Sequence, residues 1–280
     1  MDWVRMINQA IAFMEEHLTD DIALRDIAGS VHLSAFHFQR AFSLLTDLSP
    51  AEYLRKRRLS QAGAELAEGK TRVIDAALKY GYDSPESFAK AFTRFHGASP
   101  AQVKNGSPVR FMNRYTVRIT IDGGSIMEYR IEKWDAMDLL VHTREFHAET
   151  SEREIPAFWD KYYADEDLRK IPGYLGVCAQ KKTDGDVFTY GIGCRAADFL
   201  GVPEGFEVLR VPENTWAVFK CVGPVPEAIQ GMWEKIYSQW LPAADYELVP
   251  DWDIENYLPG DPAKKDYVSE ICFPVRRKAL

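Results

Sequence analysis

Gln39 and Arg40 carry the side chains best suited to recognising the edge of a nucleic acid base. A guanidinium can donate two hydrogen bonds to O6 and N7 of guanine, and a glutamine amide pairs similarly with N6 and N7 of adenine. Phe36, one helical turn earlier, can lie against a thymine methyl group. This chemistry requires the three side chains to share one face near the start of a helix. The surrounding sequence pattern decides whether that condition is met.

The segment that positions these residues occurs twice, at a fixed offset. Ser34–Phe42 is matched by Ser84–Phe92, and the Ser-Pro-Ala tripeptide at 49–51 recurs at the same offset. Each copy has a serine that can cap a helix and apolar residues at helical spacing. Each also has a cation at one position, which is Arg40 in the first copy and Lys90 in the second. The pattern predicts two helix-turn-helix units rather than a plain helical bundle.

Apolar spacing predicts the helices of these units. They are expected at about 3–18, 24–30, 35–45, 50–67 and 73–80, with further helices beginning at Ser84 and Ser99. The candidate base-contacting residues are Ala35, Phe36, Gln39 and Arg40 in the first unit, and Pro85, Glu86, Ala89 and Lys90 in the second. The candidates for phosphate contact are Ser34, Arg55, Arg58, Ser84 and Ser87. Because an acidic Glu86 repels phosphate and Ala89 offers no hydrogen bond, the second helix is expected mainly to position the protein.

This double unit resembles the DNA-binding domain of the AraC/XylS family of bacterial transcription regulators. The resemblance covers the segment from about Trp3 to Lys104 and implies an all-α DNA-binding domain over residues 1–106. It also implies that both recognition helices enter neighbouring major-groove segments of one asymmetric site, about 34 Å apart. Double-stranded DNA is therefore an expected partner.

Charge is distributed unevenly along the chain. Residues 1–110 hold 14 Lys and Arg against 13 Asp and Glu, whereas the remainder holds 20 against 29. This balance excludes a protein that binds polyanions over its whole surface and makes the acidic half a suitable host for cations. The four cysteines have neither metal-ligand nor redox spacing, so we expect buried free thiols in a reducing, cytoplasmic compartment. No metal site, catalytic triad or phosphate loop is evident, and no cofactor is expected.

The second half contains a repeat of another kind. Residues 107–125 are predicted to be a linker, with one short strand at about 115–121. Beyond it, Phe158–Tyr163 is matched by Met232–Tyr237, and each match is preceded and followed by two strand-like runs. The expected fold of residues 126–280 is α+β, with two ββαββ repeats. They are expected to form a concave sheet with helices behind and a groove between the halves.

This arrangement resembles the GyrI-like small-molecule-binding domain. The resemblance implies a groove for hydrophobic, often cationic, aromatic compounds, in which a glutamate near aromatic rings neutralises the ligand. By resemblance Glu255 is that glutamate, Tyr257 shares its strand face, Tyr267 forms a wall, and Glu270 is the alternative acid. Further aromatic candidates for the groove are Tyr129, Phe146, Tyr190 and Trp216. Trp159, Trp233 and Phe273 could also line the groove, although core packing is the favoured expectation for Trp159 and Trp233.

These observations predict a one-component transcription regulator rather than an enzyme, with DNA, a small hydrophobic ligand and RNA polymerase as partners. Two alternatives remain at this point. Some GyrI-like domains are hydrolases of reactive xenobiotics, in which the groove glutamate could act as a general base. The chain could instead be an architectural DNA binder whose second domain is vestigial, and a groove filled by the protein's own side chains would favour that alternative.

Overall fold

The computed structural model describes residues 3–69, 71–118, 127–179, 186–249 and 252–278. The chain forms two compact units. One unit contains Val4–Leu33 and the described residues of Thr46–Arg118. The other contains Trp3, Ser34–Leu45 and the described residues beyond 126. The first predicted recognition helix is thus grouped with the C-terminal sheet.

The helices of the first 104 residues match the repeated sequence pattern. They are α1 (Trp3–Glu16), α2 (Leu24–Gly29), α3 (Ala35–Thr46), α4 (Pro50–Ala67), α5 (Val73–Lys79), α6 (Pro85–His96) and α7 (Pro100–Lys104). The serine oxygens of Ser49, Ser84 and Ser99 each accept the backbone N–H three residues later, at 3.1–3.3 Å. Proline follows each of these serines at the first helical position, where its missing N–H costs nothing.

The helical unit has its own apolar core. Leu59, Tyr80, Phe88, Phe92 and Val103 are buried together there, and they come from α4, from the residue that ends α5, from α6 and from α7. The second repeat therefore forms a packed helix-turn-helix unit, as the sequence predicts. Burial of apolar side chains at helical spacing is the main term that holds such short helices in place.

The first part of the predicted linker is bound along the helices of this unit. Residues 109–118 adopt neither helix nor strand. Met112 N–H donates to Ser60 Oγ at 2.9 Å, Val117 N–H donates to Asn8 Oδ1 at 2.9 Å, and Tyr115 N–H donates to the Tyr53 hydroxyl at 3.3 Å. The strand expected from residue 115 onward is therefore absent over 115–118, because side chains of the helices satisfy its backbone. Residues 119–125 lie outside the described part of the chain.

The C-terminal part forms an antiparallel sheet with helices inserted in the predicted order. The strands described are β1 (Tyr129–Trp134), β2 (Met137–His147), β3 (Leu175–Ala179), β4 (Val187–Arg195), β5 (Glu207–Val211), β6 (Asn214–Val222), β7 (Tyr246–Leu248), β8 (Trp252–Tyr257) and β9 (Val268–Arg277). Helix α8 (Ser151–Ala164) follows β2. Helix α9 (Glu227–Lys235) follows β6 and continues through a π-helical turn at Ile236–Trp240 into α10 (Leu241–Ala243). The first of the two strand-like runs that follow Met232–Tyr237, at about 247–258, is divided into β7 and β8.

Strand order reveals the internal symmetry of the sheet. The strands are ordered β1-β6-β9-β8-β3-β4-β2-β5, and β7 pairs with one end of β9. Strands β1, β2, β3 and β4 of the first repeat correspond to β5, β6, β8 and β9 of the second. If each strand is replaced by its counterpart, the result is the same strand order read from the opposite edge. The two ββαββ repeats are therefore related by a pseudo-twofold axis between β3 and β8. Each repeat contributes its first strand to the other repeat's half of the sheet.

The short connections require the sheet to curl. Strand β1 lies at one edge and is joined through two residues to β2, which lies next to the opposite edge. The same holds for β5 and β6. One face accordingly encloses an apolar cluster that includes Leu209, Val211, Trp216, Val218 and Ile254. Helices α8 and α9 cover the opposite face, where Phe158 contacts Phe146 and Trp233 contacts Phe273.

The part of the chain that the structure describes was also compared with the requirements of a membrane span and of a metal site. None of the helices there combines the length and the apolar character that crossing a bilayer requires. Nor does the described part of the chain bring three or more His, Cys, Asp or Glu side chains together as ligands of a metal ion. The four cysteines are buried free thiols, as the sequence predicts.

Candidate functional site

Helix α3 begins as the sequence predicts but is buried on both of its faces. Ser34 Oγ accepts the His37 N–H at 3.3 Å and so caps the helix. Phe38 and Phe42 face inward, as expected. The expected base-reading side is buried too: Ala35, Phe36 and Gln39 are all buried, and Arg40 is 23% exposed. In this structure these four residues do not form an open surface.

Side chains of α3 instead contact the helix-covered face of the sheet. Gln39 Nε2 donates a hydrogen bond to the Ala148 carbonyl, immediately before α8, at 2.7 Å. The Phe36 ring lies 4.3 Å from the Phe188 ring of β4. His37 Nδ1 lies 3.7 Å from Asp253 Oδ2. All these residues belong to the same compact unit.

Arg40 lies among acidic and aromatic side chains. Its Nη2 is 3.5 Å from Glu255 Oε1, and its Nη1 is 3.6 Å from Asp253 Oδ2. Its guanidinium carbon lies 4.2 Å from the centre of the Trp233 ring of α9, within the range of a cation–π contact. Burial by itself would lower the pKa of Arg40, but Glu255 and Asp253 outweigh it and hold that pKa above its usual value. The guanidinium is therefore charged at this site.

Asp253 is an unusual member of the site because it is only 3% exposed. Burial raises its pKa to about 7, against the opposing effect of Arg40. Neither carboxylate oxygen has a hydrogen-bond partner among the described residues, so charge attraction is what compensates for its burial. A carboxylate in such surroundings favours a nearby cation.

Register places the other groove residues on the same face as Asp253. Glu255 and Tyr257 follow at intervals of two on β8, so their side chains point the same way. The Tyr257 hydroxyl donates to Glu255 Oε2 at 2.9 Å. On the central strands Glu255 is opposite Gly176, and a Cβ there would lie 2.2 Å from the Tyr190 hydroxyl. The glycine therefore leaves room for Tyr190 beside the glutamate.

Aromatic groups close this part of the face. Trp159 of α8 donates its Nε1 hydrogen to the Tyr190 hydroxyl at 3.0 Å, and its ring lies 5.1 Å from that of Tyr257. Burial raises the pKa of both tyrosines, and the Glu255 carboxylate adds to the effect. Both hydroxyls are therefore neutral, and each is available only as a hydrogen-bonding group. Of the predicted ligand residues, Glu255, Tyr257 and Tyr190 lie together around Arg40.

Other predicted ligand residues lie elsewhere. Glu270 is opposite Asn256 on the neighbouring strand, so it faces the other side of the sheet from Glu255. There it accepts hydrogen bonds from Asn256 at 2.9 Å and from Arg130 at 2.8 Å. Trp216 also faces that side, in the enclosed apolar cluster, and stacks on Trp134. These two residues do not share a face with Glu255.

Three more candidates lie on the same face of the sheet as Glu255, but at a distance from the Arg40 site. Phe146 is buried beside Phe188 and the α8 side chain Phe158. Tyr129 lies on the edge strand β1, half-exposed, with its ring 5.4 Å from that of Phe219. Tyr267 is buried directly before β9, beside Gly260. The groove also differs from the expected form, since α8 and α9 cover the face that carries Glu255 instead of lying behind it.

The second predicted recognition helix differs from the first in exposure. On α6, Glu86 and Lys90 are exposed, and Pro85 and Ala89 are partly exposed. Ser84 Oγ accepts the Ser87 N–H, and Gly97 ends the helix with a φ of 80°. Positions that are equivalent by sequence are therefore accessible on α6 and buried on α3.

The phosphate-contact candidates also differ in accessibility. Arg55 is exposed on α4, and Ser84 and Ser87 lie at the open start of α6. The Arg58 guanidinium, by contrast, donates to the carbonyls of Leu18 and Asp20 at 2.8 and 2.5 Å. Those acceptors lie just beyond the end of α1, so Arg58 holds the chain there in this structure. Ser34 caps α3, as described above.

Sequence reasoning missed Asp253 and His37 as members of this site. The alternation Asp253, Glu255, Tyr257 contained a signal for the first, because three residues at intervals of two share one face of a strand. The sequence favours core packing for Trp233, and its ring does stack on Phe273 while it also contacts the Arg40 guanidinium. Nothing in the local sequence indicated that His37 would meet an aspartate more than two hundred residues away.

Comparison with known proteins gives matches to both halves of the chain. Residues 130–275 match the family described as "Integron-associated effector binding protein". Residues 27–106 match the family described as "Helix-turn-helix domain". Together these matches cover the base-reading candidates and the whole of the Asp253 and Glu255 strand.

Individual relatives resemble the N-terminal part. The HTH-type transcriptional activator AarP of Providencia stuartii is 38% identical over 96 residues, which are 34% of this chain and 71% of AarP. The transcriptional regulator Rob of Salmonella typhimurium is 31% identical over 107 residues, which are 38% of this chain and 37% of Rob. The chain thus spans well under half of Rob in this alignment. An integron cassette protein from Vibrio cholerae, a solved structure, is 17% identical, with a TM-score of 0.41 over 53% of this chain and 95% of that one.

Proposed function

We propose that this chain, which belongs to the family of integron-associated effector binding proteins and carries an AraC-type helix-turn-helix domain, is a ligand-responsive transcription regulator. In this proposal α3 and α6 read duplex DNA, and the face of β8 that carries Asp253 and Glu255 binds a hydrophobic cation. RNA polymerase is the further partner through which the bound ligand changes transcription.

The observation that carries the ligand assignment is the set of groups around Asp253 and Glu255. Two carboxylates face the same side of β8, and both are buried or nearly so. The Trp233 ring and two neutral tyrosine hydroxyls lie beside them. A delocalised cation satisfies both needs of such a site, because it offers charge to the carboxylates and a flat apolar surface to the rings.

The DNA assignment is supported by the side chains at equivalent positions of the two repeats. Arg40 and Gln39 supply the donors and acceptors that distinguish guanine and adenine in the major groove. Lys90 is exposed on α6, so its ammonium group can contact a phosphate. We therefore assign base recognition mainly to α3 and positioning mainly to α6.

Selection from a pool of random duplexes tests the DNA assignment. The wild type should enrich an asymmetric site of two segments about 34 Å apart, the spacing of adjacent major-groove turns. Arg40→Ala should relax the sequence preference at one base pair and weaken binding to the selected site by about 1–3 kcal/mol. Lys90→Ala should weaken binding to all duplex sequences alike and make the DNA affinity depend less steeply on salt concentration. Enrichment of no common sequence would contradict the proposal.

Equilibrium dialysis with recovery by mass spectrometry tests the ligand assignment. The panel contains tetraphenylphosphonium, neutral aromatic compounds and electrophilic xenobiotics. The wild type should retain tetraphenylphosphonium intact, and Glu255→Gln should lose it. Glu270→Gln is the matched control, because that carboxylate faces the other side of the sheet and its removal should leave binding unchanged. Recovery of a hydrolysed electrophile from the wild type but not from Glu255→Gln would instead identify an enzyme.

A further inference from the structure

The guanidinium of Arg40 occupies the place that the proposed function assigns to a small cation. It lies 3.5 Å from Glu255, 3.6 Å from Asp253 and 4.2 Å from the centre of the Trp233 ring. Building on the proposed function, we propose that Arg40 is an internal competitor for the ligand site. A bound cation displaces Arg40 and releases α3 for DNA, and DNA that holds α3 leaves the site open for the cation.

Helix α3 cannot serve the DNA and the ligand site at once. The Gln39 amide is bonded to the Ala148 carbonyl, and the Phe36 ring lies against Phe188. Arg40 is engaged by two carboxylates and an indole ring. These are the three side chains that base recognition would need in the major groove. Contact with DNA therefore requires α3 to leave the sheet.

The site around Asp253 and Glu255 cannot hold two cations. Asp253 and Glu255 are adjacent on one face of β8, and the Arg40 guanidinium already approaches both. An external cation would need the same Trp233 ring and the same carboxylate oxygens that the Arg40 guanidinium approaches, and two cations in contact in these apolar surroundings would repel each other. Binding of an external cation and docking of Arg40 are therefore mutually exclusive.

Arg40 is held by contacts that another cation can replace. Its ion pairs have nitrogen–oxygen distances of 3.5 and 3.6 Å, longer than a good charge-assisted hydrogen bond of about 2.8 Å. Arg57, which has a structural role in the helical unit, approaches Glu15 at 2.6 and 2.7 Å. A lipophilic cation with a larger aromatic surface can replace the guanidinium because it meets the same carboxylates and offers more area to the rings.

The two equilibria are then linked in a defined direction. Docked α3 reduces the apparent affinity for cation by the fraction of molecules in which the site is open. Any ligand that binds only the open form shifts α3 toward release, and DNA that binds only released α3 favours cation binding by the same factor. The bound cation thus acts as an activator of DNA binding, with no need for the ligand to touch the DNA.

The test measures tetraphenylphosphonium binding to the full-length chain by calorimetry, for the wild type, Arg40→Ala and Arg94→Ala. Arg40→Ala removes the competitor and should tighten cation binding by about tenfold or more. Arg94→Ala removes an exposed arginine from α6 and should bind like the wild type. Thermal melts establish that each variant is folded.

The outcomes separate this inference from the function on which it rests. Equal affinity of the wild type and Arg40→Ala would overturn the competition but leave the ligand-binding function intact. Failure of all three proteins to bind tetraphenylphosphonium would overturn both, and would favour a groove filled permanently by the protein's own side chains. Tighter binding by Arg40→Ala alone is the result that the competition predicts.

A second measurement follows α3 directly and needs no DNA. The four native cysteines are buried, so a new thiol can be labelled with little background. Gln39→Cys places a thiol on the docked face of α3, and Ala89→Cys places one at the equivalent position of α6. Tetraphenylphosphonium should increase maleimide labelling of the Gln39→Cys thiol several-fold, as located by peptide mass, and leave Ala89→Cys unchanged. No increase at position 39 under saturating cation would overturn release of α3.

Discussion

Arg57 and Arg40 are held in different ways, and the difference bears on what each arginine does. Arg57 donates to both carboxylate oxygens of Glu15, at 2.7 Å from Nε and 2.6 Å from Nη2, and also to the Met112 carbonyl. The Tyr53 hydroxyl donates to the same carboxylate at 2.7 Å. This network joins α1, α4 and the segment after α7 through short, directed bonds. Arg40, by contrast, has longer ion pairs and lies over the rings of Phe36 and Trp233.

Arg57→Ala should destabilise the helical unit strongly. It would leave Glu15 nearly buried without its guanidinium, and breaking such a pair costs about 3–5 kcal/mol. Arg55→Ala, at an exposed position of the same helix, should change the free energy of unfolding by no more than about 0.5 kcal/mol. Urea unfolding followed by circular dichroism measures both. Similar losses for the two variants would show that the Glu15 network contributes little.

Asp253 should make stability depend on pH. Burial raises its pKa from the ordinary 3.8 to about 7, so the folded chain takes up a proton more readily than the unfolded chain between those values. The folded state therefore loses stability as pH rises through this range, by at most about 1.4 kcal/mol per pH unit from this group. The groups facing Asp253 are Arg40 and His37 of α3, Cys178 of β3, Tyr237 after α9, and Glu255.

Asp253→Asn should remove this dependence. The variant should gain stability relative to the wild type between pH 5 and pH 7, and the difference should level off above pH 7, once the wild-type carboxylate is fully charged. Unfolding midpoints in urea at half-unit pH intervals measure the difference. A constant difference from pH 5 to pH 8 would mean that Asp253 is not the group that titrates.

Two glycines, one in a strand and one in a helix, differ in the space around them. Gly193 lies in β4, where an added Cβ would fall 2.0 Å from the Leu140 carbonyl oxygen. That neighbour is backbone in the adjacent strand and cannot move without breaking the ladder. Gly231 lies inside α9, and nothing comes within 4 Å of the corresponding Cβ position.

Alanine at the two positions should have effects of opposite sign. Gly193→Ala should destabilise the sheet by about 3 kcal/mol or more, because a backbone clash adds to overpacking. Gly231→Ala should stabilise the chain by about 0.5–1 kcal/mol, since it reduces the backbone entropy of the unfolded state at no steric cost. Thermal unfolding of the two variants measures this. Stabilisation by Gly193→Ala would contradict the close approach of β2 and β4.

The predictability of elements followed the range of the interactions that create them. Helix starts at Ser34, Ser84 and Ser99 could be predicted, because a cap and its N–H partner are three residues apart. The shared face of Glu255 and Tyr257 also follows from local alternation. The opposite orientation of Glu270 could not be predicted, because it depends on the register between β8 and β9. The burial of α3 depends on contacts across more than a hundred residues.

For the whole molecule, the contacts of α3 imply that a substitution in the sheet can change DNA affinity. Phe188 belongs to β4 and contacts Phe36, but it is not a candidate for DNA contact. Phe188→Ala should weaken docking of α3 and raise affinity for the selected duplex by about tenfold in the absence of cation. Val177→Ala is the control, because it removes volume from the enclosed face of the same sheet.

Fluorescence anisotropy with a labelled duplex measures both affinities. The two variants should lose similar amounts of stability, and only Phe188→Ala should bind DNA more tightly. Added tetraphenylphosphonium should then raise the affinity of the wild type toward that of Phe188→Ala. Tighter DNA binding by Val177→Ala as well would attribute the effect to general loosening of the sheet.

The reversed strand order of the sheet has a consequence for the origin of this domain. Strand β1 pairs with β6 and β5 pairs with β2, so each ββαββ repeat completes the sheet of the other. A chain that carried one repeat alone would leave a strand without its neighbour until it met a second copy. Two such copies, joined by exchange of their first strands, would form the same sheet as a twofold homodimer. Duplication and fusion of a half-sized gene would then have turned an intermolecular assembly into one polypeptide, freeing each half to diverge.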